Sequence, residues 1–257
     1  MLTFVGLGLW DEDSITVEGQ RALRAAEDVF AEFYTSRLMG TDPESLAAHH
    51  GVEIDVRDRA GTEREPGPVL DAASDRDAVF LTAGDTMIST THVDLRLRAH
   101  ERGIETRVVH GTTAAAAAAS LTGLQNYRFG KATTLPFPYA HGGEGVPASV
   151  CETLDANRER GLHTLVYLDI KRERGEYMTG DVAAGLLAEG YEDVLGVVVC
   201  RAGSPEPRVE AGRLSDLAGQ EFGGPLQLLV IPGKLHYIES DALRALADAP
   251  ESLTEPV

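Results

Sequence analysis

Short apolar runs alternate along this chain with segments whose apolar residues recur every three or four positions. The run LTFVGLGL, residues 2–9, is apolar almost throughout and reads as a strand buried on both faces. Thr16 stands before VEGQRALRAAEDV, where Leu23, Ala26 and Val29 recur at helical spacing, so Thr16 is predicted to cap a helix. The first half continues with a strand at 29–33, a helix at 45–50, a strand at 52–56 and a short helix at 69–74. The strand AVFLT at 78–82, a helix at 92–102 and a strand at 105–110 follow. This alternation implies a mostly parallel sheet with helices on its faces.

The second half repeats the style. Helices are predicted at 114–120, 147–160, 182–189, 214–220 and 240–247, and strands at 164–170, 194–200 and 226–231. Residues 126–146, rich in Gly, Pro and aromatics, read as a loop or hairpin. No internal repeat is visible. The sheet-forming half gives way to an Ala-rich helix near Gly111, so the expected organisation is α/β in two domains, 1–111 and 112–257.

Charge narrows the function. A net charge of −18 argues against duplex binding, which needs cations to replace phosphate counterions, and against docking on anionic lipid. Only Lys131, Lys171 and Lys234 are lysines, and the remaining basic residues are arginines. Many carboxylates with few lysines suit a chain working in concentrated salt, where screening relieves self-repulsion. GC-rich codon usage gives the same bias, so both accounts stand at this point. Cys151 and Cys200 do not make a disulfide framework, and no CxxC or HExxH occurs, so no metal is expected. The N-terminus lacks a basic n-region and a span-length apolar run. A cytoplasmic location with no membrane segment is therefore expected.

Candidate chemistry lies at strand ends. Gly6-Leu7-Gly8 ends the first strand and suggests a dinucleotide fingerprint, with Glu32 near the ribose-binding position. However, Asp11 holds the third glycine position, and Glu12 and Asp13 follow it. Three carboxylates there would repel a pyrophosphate. A tight turn or a site for a phosphate-free nucleotide ligand fits better. Gly84-Asp85 follows AVFLT, where open α/β sheets bind ligands, although an Asx turn is an equal reading. His110-Gly111-Thr112-Thr113 opens the Ala-rich helix as a cap or an anion site. Lys171, Lys234 and His236 also follow strands. No GxSxG elbow, P-loop or kinase motif set is present.

Taken together, FVGLGLWDEDSIT, VFAEFYTS, FLTAGDTMISTTH, TGLQNYRFGK, GLHTLVYLDIK, YMT, CRAGS and IPGKLH resemble the diphthine synthases of the archaeal and eukaryotic diphthamide pathway. They run in family order from about residue 4 to 238, and AEFYTS, GD-x-x-x-x-TTH and PGKLH in combination are specific. The resemblance implies the tetrapyrrole-methylase fold, two αβα domains with S-adenosylmethionine (SAM) in the cleft between them, in a homodimer. It implies a protein substrate, translation elongation factor 2, at a histidine carrying a 3-amino-3-carboxypropyl group. The amino group would become a trimethylammonium, with S-adenosylhomocysteine as by-product. Archaeal members stop at three methyls and eukaryotic members add a methyl ester, and the composition favours the archaeal outcome.

Cofactor contacts implied by the resemblance are Leu9, Asp85, Ile88, Thr113, Ala114, Leu168, Ala202 and Gln227. Thr86 stands where the family often has Pro, GTTA replaces a common APSI, and Gln227 stands where some relatives have His. Candidates to receive the substrate's proton or hold its carboxylate are Lys171, Lys234 and His236, with no base assigned. The alternatives are a same-fold methyltransferase acting on a tetrapyrrole or ribosomal RNA, and a non-catalytic nucleotide-binding module.

Overall fold

The computed structural model of the chain describes residues 1–143, 145–171 and 174–256. It divides into two compact units, Met1–Thr113 and Ala114–Val257.

In the first unit, β1 (Leu2–Gly6), β2 (Asp28–Glu32), β3 (Asp55–Arg57), β4 (Ala78–Thr82) and β5 (Thr106–Val109) form one sheet. The order is β3-β2-β4-β1-β5 and every pairing is parallel. Alternate residues feed two cores. Leu2, Phe4, Phe30 and Phe80 pack with α3 (Gly67–Asp75) and α4 (Val93–Glu101). Val5, Val29, Ala31, Val79 and Leu81 pack with α1 (Val17–Ala25) and α2 (Pro43–His50). The period-two side-chain alternation of a strand therefore serves a helix layer on each face. Thr16 caps α1, its hydroxyl accepting from Gly19 N at 3.1 Å. Asp42 caps α2, with Pro43 in its first turn and Gly51 closing it at φ 70°.

The second unit departs from the expected repetition. Its sheet runs β11-β10-β12-β7-β6, from β6 (Thr133–Leu135), β7 (Thr164–Leu168), β10 (Leu195–Cys200), β11 (Arg208–Arg213) and β12 (Gln227–Ile231). Only the β6–β7 pairing is parallel, and the other three are antiparallel. The expected strand at 164–170 breaks at Asp169, after which β8 (Ile170–Lys171) and β9 (Glu176–Tyr177) form a separate two-stranded antiparallel sheet. β11 was not expected. RVEAGR is an edge strand whose polar residues show no buried run. Within 126–146, β6 pairs with the distant β7, so the segment is not a hairpin of its own; Glu144 lies outside the described residues. Helices again cover both faces. Those of α6 (Ala148–Glu159), α7 (Gly180–Tyr191) and α8 (Leu214–Leu217) share one core with Val166, Val198 and Leu229. Those of α5 (Ala114–Thr122) and α9 (Tyr237–Ala247) share the other with Leu165, Val197 and Val230. Cys200 is buried in the first of these cores, and neither Cys151 nor Cys200 is in a disulfide. Among the described residues, no helix is long and apolar enough to cross a membrane.

Candidate active site

β1 and β4 are neighbours whose exit loops lead to opposite faces. The chain leaving β1 reaches α1, whose Leu23 packs with Val5. The chain leaving β4 reaches α4, whose Leu95 packs with Phe80. Such a switch point opens a crevice at the carboxyl ends of the strands, where open α/β sheets bind ligands.

Glycines stitch that crevice together. Gly8 and Gly84 exchange backbone hydrogen bonds across it, N–H to O distances being 3.2 and 2.6 Å. A Cβ on Gly111 would lie 2.2 Å from the Gly84 oxygen, and one on Gly6 would lie 2.6 Å from Gly111 N. The loops after β1, β4 and β5 thus touch backbone to backbone, which only glycine allows. Gly84 itself, at φ +79°, faces open space on its Cβ side, so a ligand can approach its main chain.

Asp85 is the clasp of these loops. Its carboxylate is only 3% exposed and accepts from Met87 N (2.9 Å), Gly111 N (3.2 Å) and His110 Nδ1 (2.8 Å). The Asx-turn reading is therefore correct for the Met87 bond, and the same side chain also ties the β4 loop to the β5 loop. Ile88 is half exposed in the same loop, and Leu9, half buried, follows the β1 turn. Thr113 closes the first unit and Ala114 opens α5. The acidic loop is largely occupied with its own fold. Asp11 caps the turn Glu12–Ser14, and Asp13 sits 3.4 Å from His49 Nε2.

In the second unit, Leu168, Ala202 and Gln227 share one end of the sheet. Leu168 ends β7, Ala202 follows β10, and Gln227 opens β12 opposite Cys200. Gln227's amide is used within the protein. Its oxygen accepts from Gly180 N at 2.6 Å and its nitrogen donates to the Gly223 and Gly224 carbonyls.

Lys234 and His236 follow the other end of β12. A five-residue strand separates them from Gln227, roughly 15 Å at about 3.3 Å per residue. There the motifs NYRFGK, GLHTLVYLDIK and PGKLH converge on Glu239, which sequence reasoning missed. Fully buried, Glu239 accepts from Gln125 N (2.9 Å), His163 Nε2 (3.0 Å), His236 N (2.8 Å) and Arg128 Nη1 (3.0 Å). Burial pushes its carboxyl up, but the hydrogen bonds from the His236 and Gln125 amides and from His163 outweigh it and hold the pKa below the ordinary value. His163 Nδ1 accepts from Gly233 N at 3.0 Å, so its proton is on Nε2. The available signal was the H-x-x-E spacing of a capping box at 236–239. Lys171 is also engaged, its Nζ lying 2.9 Å from Asp169.

A second missed cluster joins AEFYTS to TTH. Glu32 is fully buried and accepts from Tyr34 N and Thr35 N at 2.9 and 3.0 Å. Its other oxygen lies 3.5 Å from His92 Nε2. Burial pushes the Glu32 carboxyl up and the His92 imidazole down. Glu32 is therefore a structural acid rather than one presented to a ribose.

Comparison with known proteins identifies the family. The family model for tetrapyrrole (corrin/porphyrin) methylases matches residues 1–218. Proteins named diphthine synthase from Halorubrum lacusprofundi and Natronomonas pharaonis are 67% and 68% identical to the chain. The alignments cover 99% and 100% of this chain and 100% of each relative. The chain belongs to the diphthine synthase family. A crystal structure of a diphthine synthase matches with a TM-score of 0.92 at 37% identity, covering 100% of this chain and 99% of that one. In this diphthine synthase family member the loops at 7–15 and 83–92 contain four carboxylates and no Lys or Arg. With the open main chain at Gly84, that setting fits a ligand that has no phosphate and carries a cation, as the sulfonium of SAM does.

Proposed function

We propose that this chain is the SAM-dependent methyltransferase that trimethylates the amino group of 3-amino-3-carboxypropyl-histidine on elongation factor 2, giving diphthine. One observation carries the reading: 67% identity, over 99% of the chain, to a protein named diphthine synthase. SAM supplies an electrophilic methyl group when bound. The chain's own residues do the rest. Leu9, Asp85, Ile88, Thr113, Ala114, Leu168, Ala202 and Gln227 are the proposed cofactor contacts. Asp85 and Gln227 spend their side chains on their own loops, so they act by fixing main-chain groups.

Methyl transfer is an in-line displacement at carbon, so alignment and exclusion of water supply most of the catalysis. The product has three methyls because a quaternary nitrogen has no lone pair. A fourth transfer needs the neighbouring carboxylate aimed at the sulfonium, which is a different geometry. The closely similar relatives come from halophilic archaea, which favours the three-methyl outcome. The proposed setting is a cytoplasmic homodimer. Incubation with methyl-labelled SAM and elongation factor 2 bearing the precursor tests the reading. Label is expected in the factor, and absence of label there would overturn it.

A further inference from the structure

We propose that His110 is the general base of the methyl transfer, taking a proton from the substrate's ammonium through Nε2 while Asp85 holds its Nδ1–H. The assignment rests on the functional reading above and adds the residue that moves the proton.

The chemistry requires such a group. The substrate amine is protonated near neutral pH, and only its neutral form has the lone pair that attacks carbon. In each round one N–H bond breaks, with the proton going to the base. Then the N–C bond forms as the C–S bond breaks, and the sulfur leaves as a neutral thioether. The new ammonium carries one methyl more and must lose a proton before the next round. Three rounds release three protons, and each must pass to solvent.

His110 meets these requirements by position and by tautomer. It follows β5, directly beside Gly111, which packs on the Gly84 carbonyl. Its ring is therefore at the mouth of the switch-point crevice. Asp85 Oδ2 lies 2.8 Å from Nδ1, and a carboxylate can only accept there, so Nδ1 carries the proton and Nε2 the lone pair. The carboxylate is itself fixed by the Met87 and Gly111 amides, so the imidazole is aimed by a rigid acceptor. This is the arrangement by which a buried carboxylate orients a catalytic histidine. The side chain is 79% exposed, so Nε2 is open to a protein substrate and can pass its proton to water. Among the described residues, Asp85 is the charged group bonded to the ring. Arg107, the charged residue of β5, is engaged by Glu18.

The sequence-derived candidates are placed less well. Lys171 is held by Asp169, its Nζ engaged in an ion pair at 2.9 Å. His236 caps α9, its Nδ1 accepting from Ile238 N at 3.4 Å, and both it and Lys234 follow the far end of β12.

Three readings test the assignment. In imidazole-detected 15N NMR, with the His110 signal found by its loss in His110→Gln, neutral His110 is expected to carry its proton on Nδ1. Free histidine favours Nε2, so an Nε2–H form would overturn the dyad. At saturating SAM, His110→Ala is expected to lose about 10²–10⁴-fold in single-turnover rate. Its S-adenosylhomocysteine affinity should stay within about twofold of wild type, and added imidazole should restore part of the rate. The wild-type rate should fall at low pH with the midpoint of the His110 NMR titration, and His110→Gln should lack that limb. A variant that keeps the wild-type rate overturns the base, as does one that loses rate only because it loses cofactor. If wild type transfers no methyl to the factor, the functional reading fails instead, and the base assignment falls with it.

Discussion

Glu239→Gln should be among the most damaging single substitutions in this protein. The carboxylate accepts four hydrogen bonds in complete burial, and an amide NH2 cannot accept those facing it. Breaking a buried charged pair from one side costs about 3–5 kcal/mol. Arg98→Ala, which removes an exposed pair with Asp94, should cost no more than about 0.5 kcal/mol. Denaturant titration of the two variants checks the contrast, and equal midpoints would contradict it. Asp85→Ala acts on function instead. It leaves the Met87 and Gly111 amides without their acceptor and releases the β4 loop from the β5 loop. Re-ordering the freed loops on binding then costs about the 1.5–3 kcal/mol of a lost charge-assisted bond, so SAM affinity should drop about tenfold to a hundredfold. Calorimetry giving wild-type affinity would remove Asp85 from the site.

At the scale of elements, the crevice depends on loops that pack without side chains. Gly111→Ala would drive a Cβ to 2.2 Å from the Gly84 carbonyl, and backbone must move to relieve it. Gly84→Ala meets no protein atom within 4 Å, and its burden is the φ of +79°, worth about 1–2 kcal/mol, together with a methyl set in the space by which a ligand reaches its main chain. Gly111→Ala should therefore abolish cofactor binding, whereas Gly84→Ala should lower the melting temperature and keep measurable affinity. Titration with S-adenosylhomocysteine separates them, and tight binding by Gly111→Ala would contradict the close-packed crevice. The glycine turns and the Asx turn of Asp85 were legible because each is a local signal at a strand end. AVFLT was legible to the residue, since a strand buried on both faces is apolar throughout. β11 was not, because an edge strand such as RVEAGR need not be apolar. The partnership of His110 with Asp85 spans 25 residues and that of Glu239 with Gln125 spans 114, and no local pattern encodes such contacts. Antiparallel pairing in the second unit was hidden for the same reason: strand spacing is silent about direction.

At the scale of the molecule, net charge sets the conditions under which the fold is stable. The charge is −18, and the ion pairs with Arg partners are mostly exposed, which gives them little weight. Repulsion among carboxylates acts over a Debye length of about 30 Å in 10 mM salt but only about 3 Å in 1 M. The melting temperature should rise steeply with potassium chloride. A flat curve from about 0.05 to 3 M, a range over which screening shortens several-fold, would return the composition to codon bias.

What the whole protein makes is read from the mass of its product. Elongation factor 2 carrying 3-amino-3-carboxypropyl-histidine is incubated with the protein and excess SAM, digested, and the modified peptide weighed before and after mild alkali. A gain of three methyl groups that survives alkali is expected, since all three are on nitrogen. No gain at all, or four methyls of which alkali removes one, would contradict it.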